Sequence, residues 1–228
     1  MPLILNIETS TEVCSVALGQ DGQLLELCES DQPFVHAEKI TLLVQECLEK
    51  AGVQLNDLSA VAISKGPGSY TGLRVGSSVA KGICYALDKP LIAVDTLESL
   101  AMACRRLHPR ESAIYCPMID ARRMEVYTAL YNSAGDCLES PHAHILTTAS
   151  FEDYYKSEQE LLLCGNGAEK AKKVLPDEFS TFCTLGCSAT HLVSLAEVAF
   201  QRGQIVDTAY FSPTYIKPPN ITKARKIL

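Results

Sequence analysis

Ile7, Glu8, Ala17 and Leu18 recur as Ile119, Asp120, Ala129 and Leu130, each 112 residues further on. Both blocks read as an apolar strand ending in an acidic residue, a polar turn, an alternating strand and a turn glycine, Gly22 or Gly135. A repeat near half the chain length predicts two related lobes, because each copy builds the same supersecondary unit. The division this predicts is a first lobe at residues 1–108, a second at 109–210 and an extended basic tail at 211–228.

Within the first lobe, residues 3–7, 13–18 and 24–28 read as strands, the last two joined by an Asp21-Gly22 hairpin turn. Ile40, Leu43, Val44, Cys47, Leu48 and Ala51 fall at helical spacing over residues 36–51, and Gly52 stops the helix. A strand at 91–94 and a helix at 96–107, capped by Asp95 or Thr96, complete the order of three strands, helix, strand, helix, strand, helix. The second lobe reads less regularly. Strands are expected at 113–119 and 161–164, a turn at Gly165-Asn166-Gly167, a short helix at 168–174 and a longer one at 188–202.

A hydrophobic content of 47% excludes disorder, and no apolar run approaches the ~20 residues that a membrane span needs. No charged n-region precedes a long apolar segment at the start, so a cytoplasmic protein is expected. Ten cysteines without any CxxC spacing then read as reduced core thiols. The net charge of −7 argues against a protein that grips RNA alone, since phosphate neutralisation drives such binding. The tail residues Lys217, Lys223, Arg225 and Lys226 are either solvated or in contact with an acidic partner or RNA.

Residues 60–87 carry the most distinctive signal: a short apolar strand, Gly66-Pro67-Gly68, a cap at Ser69 or Thr71, and a helix from Leu73. Loop amides and a helix N-terminus suit an anion such as phosphate. Neither standard motif fits, however. Gly72 precedes Leu73 and Arg74 where a P-loop needs lysine, and Thr71 stands where the dinucleotide pattern needs a third glycine. A tight helix-on-sheet turn is the other reading. Gly72, Gly76 and Ala80 leave one helix face nearly bare, so another backbone can approach it, from the chain's own sheet or from a partner helix.

Two lobes with phosphate loops at corresponding turns form the plan of actin-like ATPases and sugar kinases. Glu8, Ser10, Thr11 and Asp120 stand at those turns, where ordinary turn chemistry explains them equally. The runs NIETST, HAEKITLL, SKGPGSYTGLRVGSSVAKG, VDTLESL, MIDARRMEVYTALY and PTYIK resemble the bacterial TsaB (YeaZ) family, in order and over essentially the whole chain. The glycine stretch is the most specific of these, and residues 143–185 resemble the family only loosely. The resemblance implies an α/β, actin-like ATPase (ASKHA) fold of two pseudo-repeated lobes, the second reduced. It implies work beside TsaD, the catalytic transferase, and the ATPase TsaE, in placing threonylcarbamoyl on the adenosine next to the tRNA anticodon. A TsaC-type protein would supply the activated adenylate. The expected partner face is His36, Ile40, Leu43 and Val44 with Gly72, Gly76, Val79 and Ala80. In isolation that face would pair two copies of the chain. No cofactor is expected to bind tightly. ATP or ADP would bind weakly at the partner interface, its phosphates near Glu8, Ser10, Thr11, Gly66, Gly68 and Asp120. Contact with tRNA would come only through the complex, and none with membrane.

The transferase family carries a His-x-x-x-His metal pair, and the matching positions here are Thr96 and Leu100. Two histidines four apart share a helix face, as a metal needs; Thr and Leu cannot replace them. The five histidines, His36, His108, His142, His144 and His191, offer no substitute helical pair, and His142-x-His144 reads as a surface pair. No His-Glu-x-x-His or Gly-x-Ser-x-Gly motif occurs. No catalytic and no metal residue is therefore assigned, and the chain reads as a scaffold. A small-molecule kinase of actin-like fold is the main alternative; a metallopeptidase lacks ligands.

Overall fold

A computed structural model describes residues 1–30, 32, 35–176, 178 and 180–218. The first lobe contains β1 (Leu3–Glu8), β2 (Ser15–Gln20), β3 (Gln23–Glu29), α1 (His36–Ala51), β4 (Ala60–Ser64), α2 (Tyr70–Leu87), β5 (Leu91–Val94) and α3 (Thr96–Leu107). The second contains β6 (Ile114–Asp120), β7 (Glu125–Tyr131), β8 (Cys137–Ile145), α4 (Glu152–Lys156), β9 (Leu161–Cys164), α5 (Ala168–Ala171), β10 (Ser180–Cys183) and α6 (Val193–Gln201). The strands form two five-stranded sheets, ordered β3-β2-β1-β4-β5 and β8-β7-β6-β9-β10. The two orders are the same once the second copy is counted from β6, so the repeat read in the sequence is a repeat of topology and the plan is actin-like.

Each sheet is built around its first strand. β1 is buried along its whole length and pairs antiparallel with β2 (Leu5 opposite Leu18) and parallel with β4 (Leu5 opposite Val61). A strand covered on both faces needs a near-continuous apolar run, which 3–5 and 7 supply. Its odd residues, Leu3, Leu5 and Ile7, join Val61 and Ile63 beneath α1 and α2, while Ile4 joins Ala60, Ala62, Ile92 and Val94 on the opposite face. α1 and α2 thus lie side by side on one face, in contact with each other. Gly52, left-handed at φ 67°, ends α1, and the Ser69 hydroxyl caps α2 by accepting from the Gly72 N–H at 3.2 Å.

The third helices cross over. α3 leaves the first lobe and packs on β6, β7 and β9, with Leu97, Leu100, Ala101 and Cys104 in the core of the second. α6 returns the exchange: Ala196, with Leu192 at the helix's N-cap, closes the open face of the first sheet over Ile4 and Ile92. The second lobe is the reduced one. Five-residue α4 and four-residue α5 stand where the first lobe has helices of 16 and 18 residues.

The structure corrects the expected partner face. Ile40, Leu43 and Val44 belong to the first lobe's core together with Ala80, and His36 is buried as well. The glycine stripe is also internal. A Cβ on Gly72 would collide with the Thr9 carbonyl oxygen, and one on Gly76 with the Thr9 hydroxyl. Of the eight residues only Val79 is half-exposed, because one helix face cannot both cover a sheet and remain free. The outward side of the pair presents Leu42, Ser78, Gly82 and Tyr85 instead, with Tyr85 89% exposed and open space around Gly82.

In the second lobe, the helix expected over 188–202 divides into a 3-10 turn at Ala189–His191 and α6, and the one expected over 168–174 shortens to α5. β8, β10 and α4 carry no clear pattern in the sequence. All ten cysteines are free thiols, nine of them buried. Of the expected basic tail, Lys223, Arg225 and Lys226 lie outside the described residues.

The two kinds of glycine in α2 predict opposite responses. Gly72→Ala should destabilise by about 1–3 kcal/mol, since a backbone oxygen cannot yield. Gly82→Ala should stabilise by about 0.5–1 kcal/mol, since a solvent-facing helical glycine has only entropy to lose. Denaturant midpoints of the two variants check the pair, and equal responses would contradict the packing.

Candidate functional site

The repeat brings its two acidic turns to face each other across a cleft of about 630 Å³ between the lobes. The turn after β1 contributes Ser10, Thr11 and Glu12, and the turn after β6 contributes Asp120, Ala121 and Arg122. Gly68, Ser69, Tyr70 and Thr71 bring in the N-terminus of α2, and Asn166 stands at the β9–α5 turn. The last wall is a strap of residues 214–218.

Of the six residues expected near phosphate, Ser10, Thr11, Gly68 and Asp120 line the cleft, and Glu8 and Gly66 do not. Gly66 is covered. A Cβ there would lie 2.6 Å from the Thr214 carbonyl oxygen, and its N–H donates to the Thr96 hydroxyl at 3.2 Å. Glu8 is sealed below the turn at 0% exposure. Its Oε1 accepts from the Ser10 N–H at 2.6 Å and from the Ser64 hydroxyl at 2.9 Å, while Oε2 has no hydrogen-bond partner. Burial raises its carboxyl above the ordinary 4.5, against the opposing pull of those hydrogen bonds.

The charged groups at the cleft are largely engaged by one another. Lys170 reaches Asp120 Oδ1 at 2.6 Å, and the Arg122 N–H donates to the same oxygen at 2.5 Å. Lys217, on the strap, pairs with Glu125. Asn166 bridges the lobes: its Nδ2 donates to Glu12 Oε2 at 2.8 Å, and its Oδ1 accepts from the Asp120 N–H at 2.9 Å. Glu12, Asn166, Lys170 and the strap were not assigned to the site from the sequence. Asn166 has a signal in Gly165-Asn166-Gly167 and the strap one in the PTYIK run, whereas Glu12 and Lys170 have none.

Two features retain open capacity. The first N–H groups of a helix have no partner within it; in α2 Ser69 accepts from those of Gly72 and Leu73, which leaves those of Tyr70 and Thr71, residues that line the cleft. Ser10 is 1% exposed, lines the same cleft, and its hydroxyl has no hydrogen-bond partner. Donors of this kind suit phosphate or carboxylate oxygens.

The positions matching the transferase metal pair are occupied by packing. Leu100 is fully buried in the second lobe's core, and the Thr96 hydroxyl holds the Gly66 amide. His142 and His144 touch edge to face on β8, and His144 stacks on Phe151 with its Nε2 2.8 Å from the Ser150 hydroxyl. Among the described residues no group of three or more His, Cys, Asp or Glu side chains is arranged to hold a metal, and no helix is long and apolar enough to cross a membrane.

The family model described as "TsaD: tRNA N6-adenosine threonylcarbamoyltransferase" matches residues 35–224. The tRNA threonylcarbamoyladenosine biosynthesis protein TsaB of Bacillus subtilis is 29% identical over 218 residues, covering 94% of this chain and 93% of that protein. Its Escherichia coli namesake is 40% identical over 131 residues, 56% of this chain and 54% of that protein. The solved structure of YeaZ from Pseudomonas aeruginosa superposes with a TM-score of 0.78 at 30% identity, covering 94% of this chain and 100% of the other.

Glu8 gives a pH signature. A carboxyl whose folded pKa is raised contributes stability that is fully present below 4.5 and is lost as pH rises through the folded value. Glu8→Gln should therefore flatten the fall in unfolding free energy between that pH and neutrality, read as urea midpoints across a pH series. An unchanged slope would mean that Glu8 ionises as freely in the folded chain as in the unfolded one.

Proposed function

The chain belongs to the TsaB (YeaZ) family, a paralogous branch of the proteins matched by the TsaD model, and from that premise we propose that it is a non-catalytic assembly partner. Its work is to complete TsaD, together with TsaE, in transferring threonylcarbamoyl to the adenosine beside the tRNA anticodon. The observation that carries the non-catalytic part is the fate of the two metal positions. Leu100 is core, and Thr96 holds a backbone amide. A metal pair cannot be rebuilt there without opening the second lobe. The kinase alternative finds no support, because Asp120 is tied to Lys170 and Glu8 is buried away from the cleft.

Assembly uses the outward side of the α1–α2 pair, which packs against the equivalent helices of TsaD. Leu42, Val79 and Tyr85 supply apolar contact, and Gly82, with nothing near its missing side chain, admits a close backbone. In the absence of TsaD the same side pairs two copies of the chain. The protein is cytoplasmic and reaches tRNA only through the complex, since its net charge of −7 leaves few phosphate contacts. ATP or ADP binds weakly at the edge of this interface, its phosphates against Ser10, Thr11, Gly68 and the first turn of α2. Glu8 and Gly66 take no part, being covered.

Gly82→Arg should leave the melting temperature unchanged or raised, because the position is open. It should abolish co-elution with TsaD in gel filtration, and with it threonylcarbamoylation of tRNA in cells dependent on this chain. A folded variant that co-elutes like the wild type would exclude this side as the interface.

A further inference from the structure

We infer that Lys217 is a ligand-binding residue held in reserve: paired with Glu125 in the free chain, it transfers to the phosphates of a polyphosphate ligand at the N-terminus of α2. This rests on the reading of the cleft as a weak phosphate site, and it identifies the cation that such a site needs. The first turn of an 18-residue helix and the unpartnered, 1% exposed Ser10 hydroxyl offer donors to an anion. Neither brings a formal charge. Lys170 does not supply it, being bonded to both Asp120 Oδ1 and the Glu125 carbonyl oxygen. Arg122 also lines the cleft, from the turn after β6 on the lobe that faces the first turn of α2.

The strap delivers Lys217 to the right end of the cleft. The Thr214 N–H donates to the Lys65 carbonyl oxygen at 2.7 Å, and the Tyr215 ring packs on Tyr70, the first residue of α2, with centroids 4.8 Å apart. Lys217 is two residues further on, so its Cα is within about 7 Å of the Tyr215 Cα. Upstream, Lys81 fixes the strap by donating to the carbonyl oxygens of Ala209 and Phe211, each at 3.0 Å. Among the described residues the Lys217–Glu125 pair fastens the distal end, and both side chains are partly exposed, at 36% and 21%. A pair this accessible to solvent is weak, so a multiply charged ligand can outcompete one carboxylate for the lysine.

The test is a double-mutant cycle on the full chain, read by calorimetry at low salt, with inorganic tripolyphosphate and ATP as separate probes. Glu125→Gln frees the lysine and should tighten binding about tenfold. Lys217→Gln should weaken it, and in the double variant the gain from Glu125→Gln should vanish. Melting temperatures check that all three variants fold. Should neither wild type nor Glu125→Gln bind either probe, the phosphate reading of the cleft fails and this inference with it. Should Glu125→Gln bind no tighter, or its gain survive in the double variant, the phosphate site stands and the role of Lys217 is overturned. Equal gains for both probes would assign the lysine to the phosphate chain that they share.

Discussion

The two lobes hold together because each lends the other a helix. α3 begins in the first lobe and buries Leu97 and Leu100 in the second, while α6 closes the first sheet from the opposite direction. A fully buried leucine contributes about 1.5–3 kcal/mol, so the exchanged helices carry a sizeable share of a domain's net stability. Neither sheet keeps both faces covered without the other lobe. This explains how a second lobe with helices of four and five residues persists: its sheet is covered by a helix of the first lobe, and its last helix is part of the first lobe's core.

The same exchange fixes what the cleft can be. With the lobes locked, the turns after β1 and β6 face each other at one separation across the cleft, and its acidic groups are paired with lysines of the protein. The pairs involved add little to stability. Lys170–Asp120 and Lys217–Glu125 are partly exposed, and exposed pairs contribute about 0–1 kcal/mol. Their effect is one of occupancy: an acidic group already bonded to a lysine is a poor ligand for a metal-bound nucleotide.

Much of the first lobe is legible in the sequence because local and tertiary signals agree there. The period of α1 and its glycine stop, the Ser69 cap and the apolar run of β1 all point one way. The second lobe is harder because its elements are short. The central strand β6 still reads from its apolar run, whereas β8 is an edge strand interrupted by Pro141, with no alternation along CLESPHAHI. Four of the six residues expected near phosphate reach the cleft, since a turn's place in the repeat is a sequence property. Its depth is not: the sequence contains nothing to say that Glu8 lies under the turn and Ser10 beside the opening. The glycine stripe fails for a similar reason. Spacing shows that something approaches Gly72 and Gly76 closely, but only the fold shows that it is Thr9, by its carbonyl oxygen at the first and its side chain at the second.

Asn166 joins the lobes through the two chemically opposite ends of one side chain. Its nitrogen faces an acceptor in one lobe and its oxygen a donor in the other. Rotating the amide by half a turn would oppose like to like at both ends simultaneously, so the joint is whole or absent, with no half-made state. Neither aspartate nor lysine satisfies both sides, for each is of one kind only. The separation of two lobes of about a hundred residues is thus registered by a polarity, in the manner of a keyed connector.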